Sequence, residues 1–326
     1  VQLDAAAGQA ARAGPSKQAE ATEEQAERVR RTESRFRGHS AISLFRRSWL
    51  PTEPVRAIAL VHGFGEHSGR YDHVGAWFAR RQTAVHSFDL RGHGRSTGNR
   101  GHIDGMSDYL NDLDIFLDRV TNESEGLPVT LIGHSLGGLI VTAFAVERSP
   151  RVQSVVTSGA ALELSPDLSR TKIMLARLLY KVAPRLGVNT GLDPRAICSD
   201  PEVVRRYIDD PLVHGISTTS HAVAMIDQID RLRGAGARVE VPMFLAHGEA
   251  DTLCLPRGSM AFYHSLPGSL SGSSGPRAEL RMYAGNFHEI FNDLDRETVF
   301  ADVLDWIQRC EQDAQVGSDR ERNDVQ

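Results

Sequence analysis

The residues able to do chemistry cluster first at Gly133-His134-Ser135-Leu136-Gly137, a serine framed by glycines two positions to either side. A serine hydroxyl is a weak nucleophile until a base takes its proton and a carboxylate orients that base. Its setting suits a nucleophile. The apolar run 128–135 reads as a buried strand, and the residues from Gly137 onward read as an apolar helix. A sharp strand-to-helix turn would lift the serine clear of a sheet and place it at a helix N-terminus, where the dipole favours developing negative charge. Glycine belongs at both flanks because side chains would collide in so tight a turn. A glycine-rich turn without chemistry is the plain alternative, and the presence of partners decides between them.

The partners should follow in the order serine, acid, histidine, each just after a later strand. Asp251 follows the strand candidate 241–248 within His247-Gly248-Glu249-Ala250-Asp251, and His288 follows the strand candidate 278–285. Glu249 is the rival acid. Among the 13 histidines, His221 and His264 are the rival bases, but only His288 satisfies both strand order and loop placement. Acyl transfer also needs two backbone N–H groups aimed at the tetrahedral oxyanion. Leu136 supplies one by position, and Phe64 in His62-Gly63-Phe64-Gly65 supplies the other.

These residues need a scaffold, and the periodicity describes one. Short strand candidates at 35–39 and 41–48 precede a buried strand at 55–63, a helix at 70–81, a strand at 83–90 and a helix at 107–121. The strand before Ser135, its helix and a strand at 152–159 continue the alternation. Strand–helix repetition of this kind predicts an α/β fold, a mainly parallel sheet covered by helices on both faces. The rhythm stops over 161–228, which reads as an all-helical insertion. It resumes over 229–312 with a helix near 256–265 and a closing helix at 294–311. Residues 33–160 form the first part of the core. Residues 1–32 are a polar extension and 313–326 a polar, frayed tail.

Composition excludes several classes. Of 326 residues, 40% are hydrophobic and 24% charged, as in soluble globular domains. A net charge of −5 argues against a bulk nucleic-acid binder. No run reaches the roughly 18 apolar residues of a membrane span. Three scattered cysteines, Cys198, Cys254 and Cys310, form neither a disulfide framework nor a zinc cluster, which points to a reducing, cytoplasmic setting. A leader preceding Val1 stays open. The chemistry requires no metal or cofactor.

HGFGEHSGRYDHV (62–74), DLRGHGRSTGNRGHI (89–103), GHSLGG (133–138), DPLVHG (210–215) and HGEADTLC (247–254) together resemble the α/β-hydrolases of the monoacylglycerol lipase and bacterial lysophospholipase-like family. The resemblance covers about residues 36–310. Leu136 stands where that family usually has methionine, a volume-conserving exchange that keeps the backbone donor. The resemblance implies a serine hydrolase that cleaves monoacylglycerols, with general carboxylesterase or lysophospholipase as alternatives. A ligand receptor on the same fold is the non-enzyme alternative, disfavoured because every triad and oxyanion position is filled.

The resemblance also makes the insertion a cap that touches membranes transiently. Leu162, Leu164, Ile173, Met174, Leu175, Leu178, Leu179 and Val182 would then supply the apolar surface and the acyl lining, unless they simply pack the cap on the core. Arg170, Lys172, Arg177 and Lys181 flank that stripe. Glu66, Arg70 and Tyr207 map onto residues that bind the alcohol end of the substrate, although Glu66 and Arg70 would equally form an ion pair. Cys254 would be a thiol near the pocket, open to thiol reagents.

Overall fold

The strands 55–63, 128–135 and 241–248 are apolar without alternation, the pattern of strands buried on both faces. The structure, a computed structural model describing residues 29–165, 170–269 and 276–324, places all three inside an eight-stranded sheet, none of them at an edge. The strands are β1 (Arg30–Arg37), β2 (Ser43–Leu50), β3 (Arg56–Val61), β4 (Thr83–Phe88), β5 (Val129–His134), β6 (Ser154–Ser158), β9 (Met243–Gly248) and β10 (Ala278–Tyr283), in the order β1-β2-β4-β3-β5-β6-β9-β10. A separate antiparallel pair, β7 (Gly187–Asn189) and β8 (Ile216–Thr218), lies in the insertion. In the main sheet β2 runs antiparallel to β1 and β4, and every other pairing is parallel.

The pleat divides each central strand between two cores. Ala57, Ala59 and Val61 of β3, with Met243 and Leu245 of β9, join one apolar cluster. It is completed by helices α2 (Met106–Glu123), α3 (Leu136–Arg148), α6 (Thr219–Leu232) and α7 (Pro256–His264). Ile58, Leu60, Phe244 and Ala246 point the other way, against α1 (Asp72–Ala79) and α8 (Arg296–Asp324), where Trp306 is fully buried. Among the described residues, no helix is long and apolar enough to cross a membrane.

Four expectations need correction. The extension expected over 1–32 lies outside the described residues except at its end, where β1 begins at Arg30 and pairs with Leu50. The insertion is not all helical. Besides α4 (Arg170–Val182) and α5 (Pro201–Asp209) it holds the β7–β8 pair. Its strands are three residues long and mostly exposed, so they leave no buried run for periodicity to detect. Helix α6 crosses the expected boundary at 228, carrying Ile229 and Leu232 into the main core. The closing helix continues to Asp324 rather than ending near 311. Arg56 holds Glu311 at 2.8 Å and Arg277 holds Asp313 at 2.6 Å, tying down its next turn. The Glu, Gln, Asp and Arg residues beyond it are polar but compatible with helix.

Candidate active site

The carboxyl ends of β3, β5, β9 and β10 converge on one edge of the sheet, the edge where open α/β sheets place ligands. Ser135 directly follows β5 and adopts φ 53°, ψ −114°, a conformation that L-residues avoid. The elbow holds because its flanks have no side chains. A Cβ on Gly137 would lie 2.2 Å from the Val61 carbonyl oxygen, and one on Gly133 would lie 2.3 Å from that of Gly137. Helix α3 starts immediately, with Leu139 N–H donating to the Ser135 carbonyl at 2.9 Å.

Asp251 and His288, the expected acid and base, come from two loops that meet. His288 Nδ1 donates to Asp251 Oδ2 at 2.7 Å. Asp251 Oδ1 accepts the N–H groups of Leu253 at 2.8 Å and Cys254 at 3.0 Å. Burial works to raise the Asp251 pKa, but His288 and the donors around it hold the carboxyl far below the usual range. Burial likewise works against the imidazolium of His288, but Asp251 outweighs it and the net shift is upward. His288 packs on Gly159, while the Ser135 N–H donates to the Ser158 carbonyl at 2.9 Å, so Ser135 and His288 abut the same strand end. Both line a cavity of about 550 Å³. The rivals lie elsewhere. Glu249 and His264 are exposed, and His221 lines the cavity from the cap.

The loop after β3 is set by a buried carboxylate. Glu66 Oε1 accepts the Gly63 N–H at 2.6 Å and the Tyr71 hydroxyl at 2.7 Å. The Gly63 donor is therefore engaged, and Phe64 is the next residue along the loop. A Cβ on Gly63 would sit 3.1 Å from the Ser135 Cβ, so glycine is what allows this close approach.

Of the residues assigned to the alcohol end, Glu66 and Tyr207 line the cavity and Arg70 does not. Arg70 forms the alternative ion pair with Glu66 at 2.8 Å, and it also grips Glu289. Its guanidinium lies 4.7 Å from the Tyr207 ring centroid. Burial would raise the Glu66 carboxyl, but Arg70 beside it brings the pKa down to about 2. Burial lifts the Tyr207 phenol to about 12.

Cys254 lines the same cavity as Ser135. It is only 4% exposed, and burial pushes its thiol well above the ordinary value. Both work against ready reaction with thiol reagents, because the thiolate is the reactive form.

Two supporting residues escaped sequence reasoning. His247 donates from Nε2 to Asp251 Oδ2 at 3.1 Å, with its Nδ1 2.8 Å from the Ser259 hydroxyl. Glu289 immediately follows the base and holds Arg70. The sequence signal for them is nearness alone: His247 stands four residues before Asp251, and Glu289 next to His288.

The cap stripe divides by facing. Met174, Leu175, Leu178 and Val182 are exposed, Met174 at 69%. Leu162 is buried, and Leu164, Ile173 and Leu179 are half-buried. Arg177 is paired with Asp227 at 2.6 Å and Lys181 is exposed. The side chains of Arg170 and Lys172 lie outside the described residues.

Comparison with known proteins agrees with this geometry. Residues 52–295 match the family model described as serine aminopeptidase, S33. A monoacylglycerol lipase of Mycolicibacterium smegmatis is 33% identical over 279 residues, covering 85% of this chain and 97% of the relative. Phospholipase YtpA of Bacillus subtilis is 27% identical over 255 residues, covering 78% of this chain and 95% of the relative. The crystal structure of a Paleococcus ferrophilus monoacylglycerol lipase superposes with a TM-score of 0.73 at 32% identity, covering 82% of this chain and 99% of that one. With strand order, elbow and motif set in agreement, the chain belongs to the S33 family of α/β-hydrolases, in its monoacylglycerol lipase and bacterial lysophospholipase-like group.

Proposed function

We propose that this protein hydrolyses monoacylglycerols to glycerol and a free fatty acid, with Ser135 as nucleophile, His288 as base and Asp251 as the orienting acid. The observation that carries the reading is the 2.7 Å His288–Asp251 bond beside the strained Ser135, inside one cavity. Ser135 Oγ attacks the ester carbonyl as its proton passes to His288 Nε2, and the N–H groups of Phe64 and Leu136 stabilise the oxyanion. Collapse breaks the acyl C–O bond, and glycerol leaves with the proton from His288. Water then gives its proton to His288 and its oxygen to the acyl carbon, and collapse returns the proton to Ser135 as the fatty acid leaves.

The cavity suits a substrate with two ends. Ala222, Met225 and Ile226 of α6, with Leu164 and Leu253, form an apolar wall for one acyl chain. Glu66, Tyr207 and Glu289 gather at a polar wall for the hydroxylated leaving group. The exposed cap residues Met174, Leu175, Leu178 and Val182 support transient contact with a lipid surface, made from the cytoplasmic side as a peripheral protein. The phospholipase relative favours lysophospholipid as the second substrate class.

The test is steady-state hydrolysis of C8–C18 monoacylglycerols beside a lysophospholipid and p-nitrophenyl butyrate, with Ser135→Ala as control. Dominant kcat/KM on monoacylglycerol is expected, with a loss of about 10⁴-fold or more in kcat for the variant. Turnover of the short ester alone would refute the substrate class, and full activity in Ser135→Ala would refute the nucleophile.

A further inference from the structure

The segment DPLVHG (210–215) has no part in the reaction described above, yet it touches the loop that the reaction needs. His67 lies three residues after Phe64. Its Nδ1 accepts the Gly69 N–H at 3.1 Å, so the proton of the neutral ring sits on Nε2, which donates to Asp210 Oδ2 at 2.9 Å. The other oxygen of Asp210 accepts the Leu212 N–H at 2.8 Å, closing the turn that delivers His214 to the loop. There the His214 N–H donates to the Gly65 carbonyl at 2.8 Å. The approach is close enough that a Cβ on Gly65, at φ +73°, would lie 2.2 Å from the His214 carbonyl oxygen. The Phe64 ring completes the contact, with centroids 5.8 Å from His214 and 5.2 Å from His221, both cap residues.

The peptide that presents the Phe64 N–H is thus held on two sides. Glu66 fixes Gly63 before it from within the core, and the cap fixes Gly65 after it. We propose that Asp210 is a positioning residue: clasped to His67, it holds the cap turn against Gly65 and so aims the Phe64 N–H at the oxyanion. The cap is then part of the catalytic apparatus as well as a cover, because displacing the turn at 210–214 misplaces an oxyanion donor. Such donors act through preorganisation, so a small displacement costs rate while leaving ground-state binding intact. The inference rests on the proposed role of Phe64 beside Ser135.

Asp210→Asn isolates the clasp. Its side-chain carbonyl can still cap the turn at Leu212, but its amide then meets the Nε2 proton of His67, whose other nitrogen is engaged by Gly69. With p-nitrophenyl butyrate, kcat should fall about tenfold with KM within about twofold. The Ki of a trifluoromethyl ketone, which adds to the serine as a hemiketal oxyanion, should rise about tenfold, while inhibition by product fatty acid should stay within about twofold. His67→Leu breaks the clasp from the core side and should reproduce this split. The double variant should be no worse than either single one, because the two residues act as a unit.

Wild-type kcat and ketone affinity in Asp210→Asn would overturn the proposal. So would a parallel loss of ketone and fatty-acid affinity, or additive effects in the double variant. If Asp210→Asn does not fold, His67→Leu carries the same kinetic comparison. Full activity in Ser135→Ala would instead sink the underlying reading of the site, so the two failures are distinguishable.

Discussion

Glu289 grips both ends of the Arg70 guanidinium at 2.7 Å, although 219 residues separate them in the chain. Arg70 also holds Glu66, which binds the Gly63 N–H. A single buried cation therefore ties the loop that carries His288 to the loop that carries Phe64. Removing it should be expensive, because two buried carboxylates would lose their partner. Arg70→Met is expected to lose about 3–5 kcal/mol of stability at pH 8, measured by urea unfolding. The loss should shrink toward pH 5. Without Arg70, burial raises the Glu66 carboxyl, and its protonated form no longer carries the unpaired charge. A pH-independent loss would contradict this account.

The base should titrate above its ordinary range. The upward shift of His288 means that the neutral form needed for attack is lost as pH falls through a value above 6.5. The acid limb of kcat/KM should lie there. Asp251→Asn removes the charge that raises it, so the limb should move down while kcat falls about 10⁴-fold. A pH profile from 5 to 9 on both proteins checks the direction. An unmoved limb would rule out Asp251 as the cause.

The elbow glycine makes a steric prediction. Gly137→Ala would place its Cβ 2.2 Å from the Val61 and 2.6 Å from the His62 carbonyl oxygens, and both are backbone atoms with little freedom to retreat. A loss of about 1–3 kcal/mol is expected in chemical denaturation, with activity falling further because β3 carries the oxyanion loop. Wild-type stability in this variant would show that the turn has slack.

The exposed cap residues make a prediction about lipid. Met174→Ser with Leu178→Ser should weaken partitioning to phospholipid vesicles about tenfold, since each side chain loses part of the ~1.5–3 kcal/mol that its full burial contributes. Hydrolysis of soluble p-nitrophenyl butyrate should be unaffected. Vesicle flotation and ester kinetics on the same preparation separate the two effects. Unchanged partitioning would mean that this face does not dock.

Sequence alone determined what depends on local pattern. Unbroken apolar runs identified the central strands, because strands buried on both faces carry no polar alternation. Ser135, Asp251 and His288 were legible because each follows a strand, and parallel strands deliver their ends to one edge. Tertiary structure alone decided the contacts between residues distant in the chain. Whether Arg70 faces substrate or two carboxylates depends on Glu289, and what the Nε2 proton of His67 meets depends on Asp210, in another part of the fold. The short β7–β8 pair and the helical extension to Asp324 also escaped the pattern, the first because its strands bury almost nothing and the second because its polar residues are anchored by Arg56 and Arg277. Periodicity reports which face of an element is buried; it carries no information about which charged side chain waits on the other side.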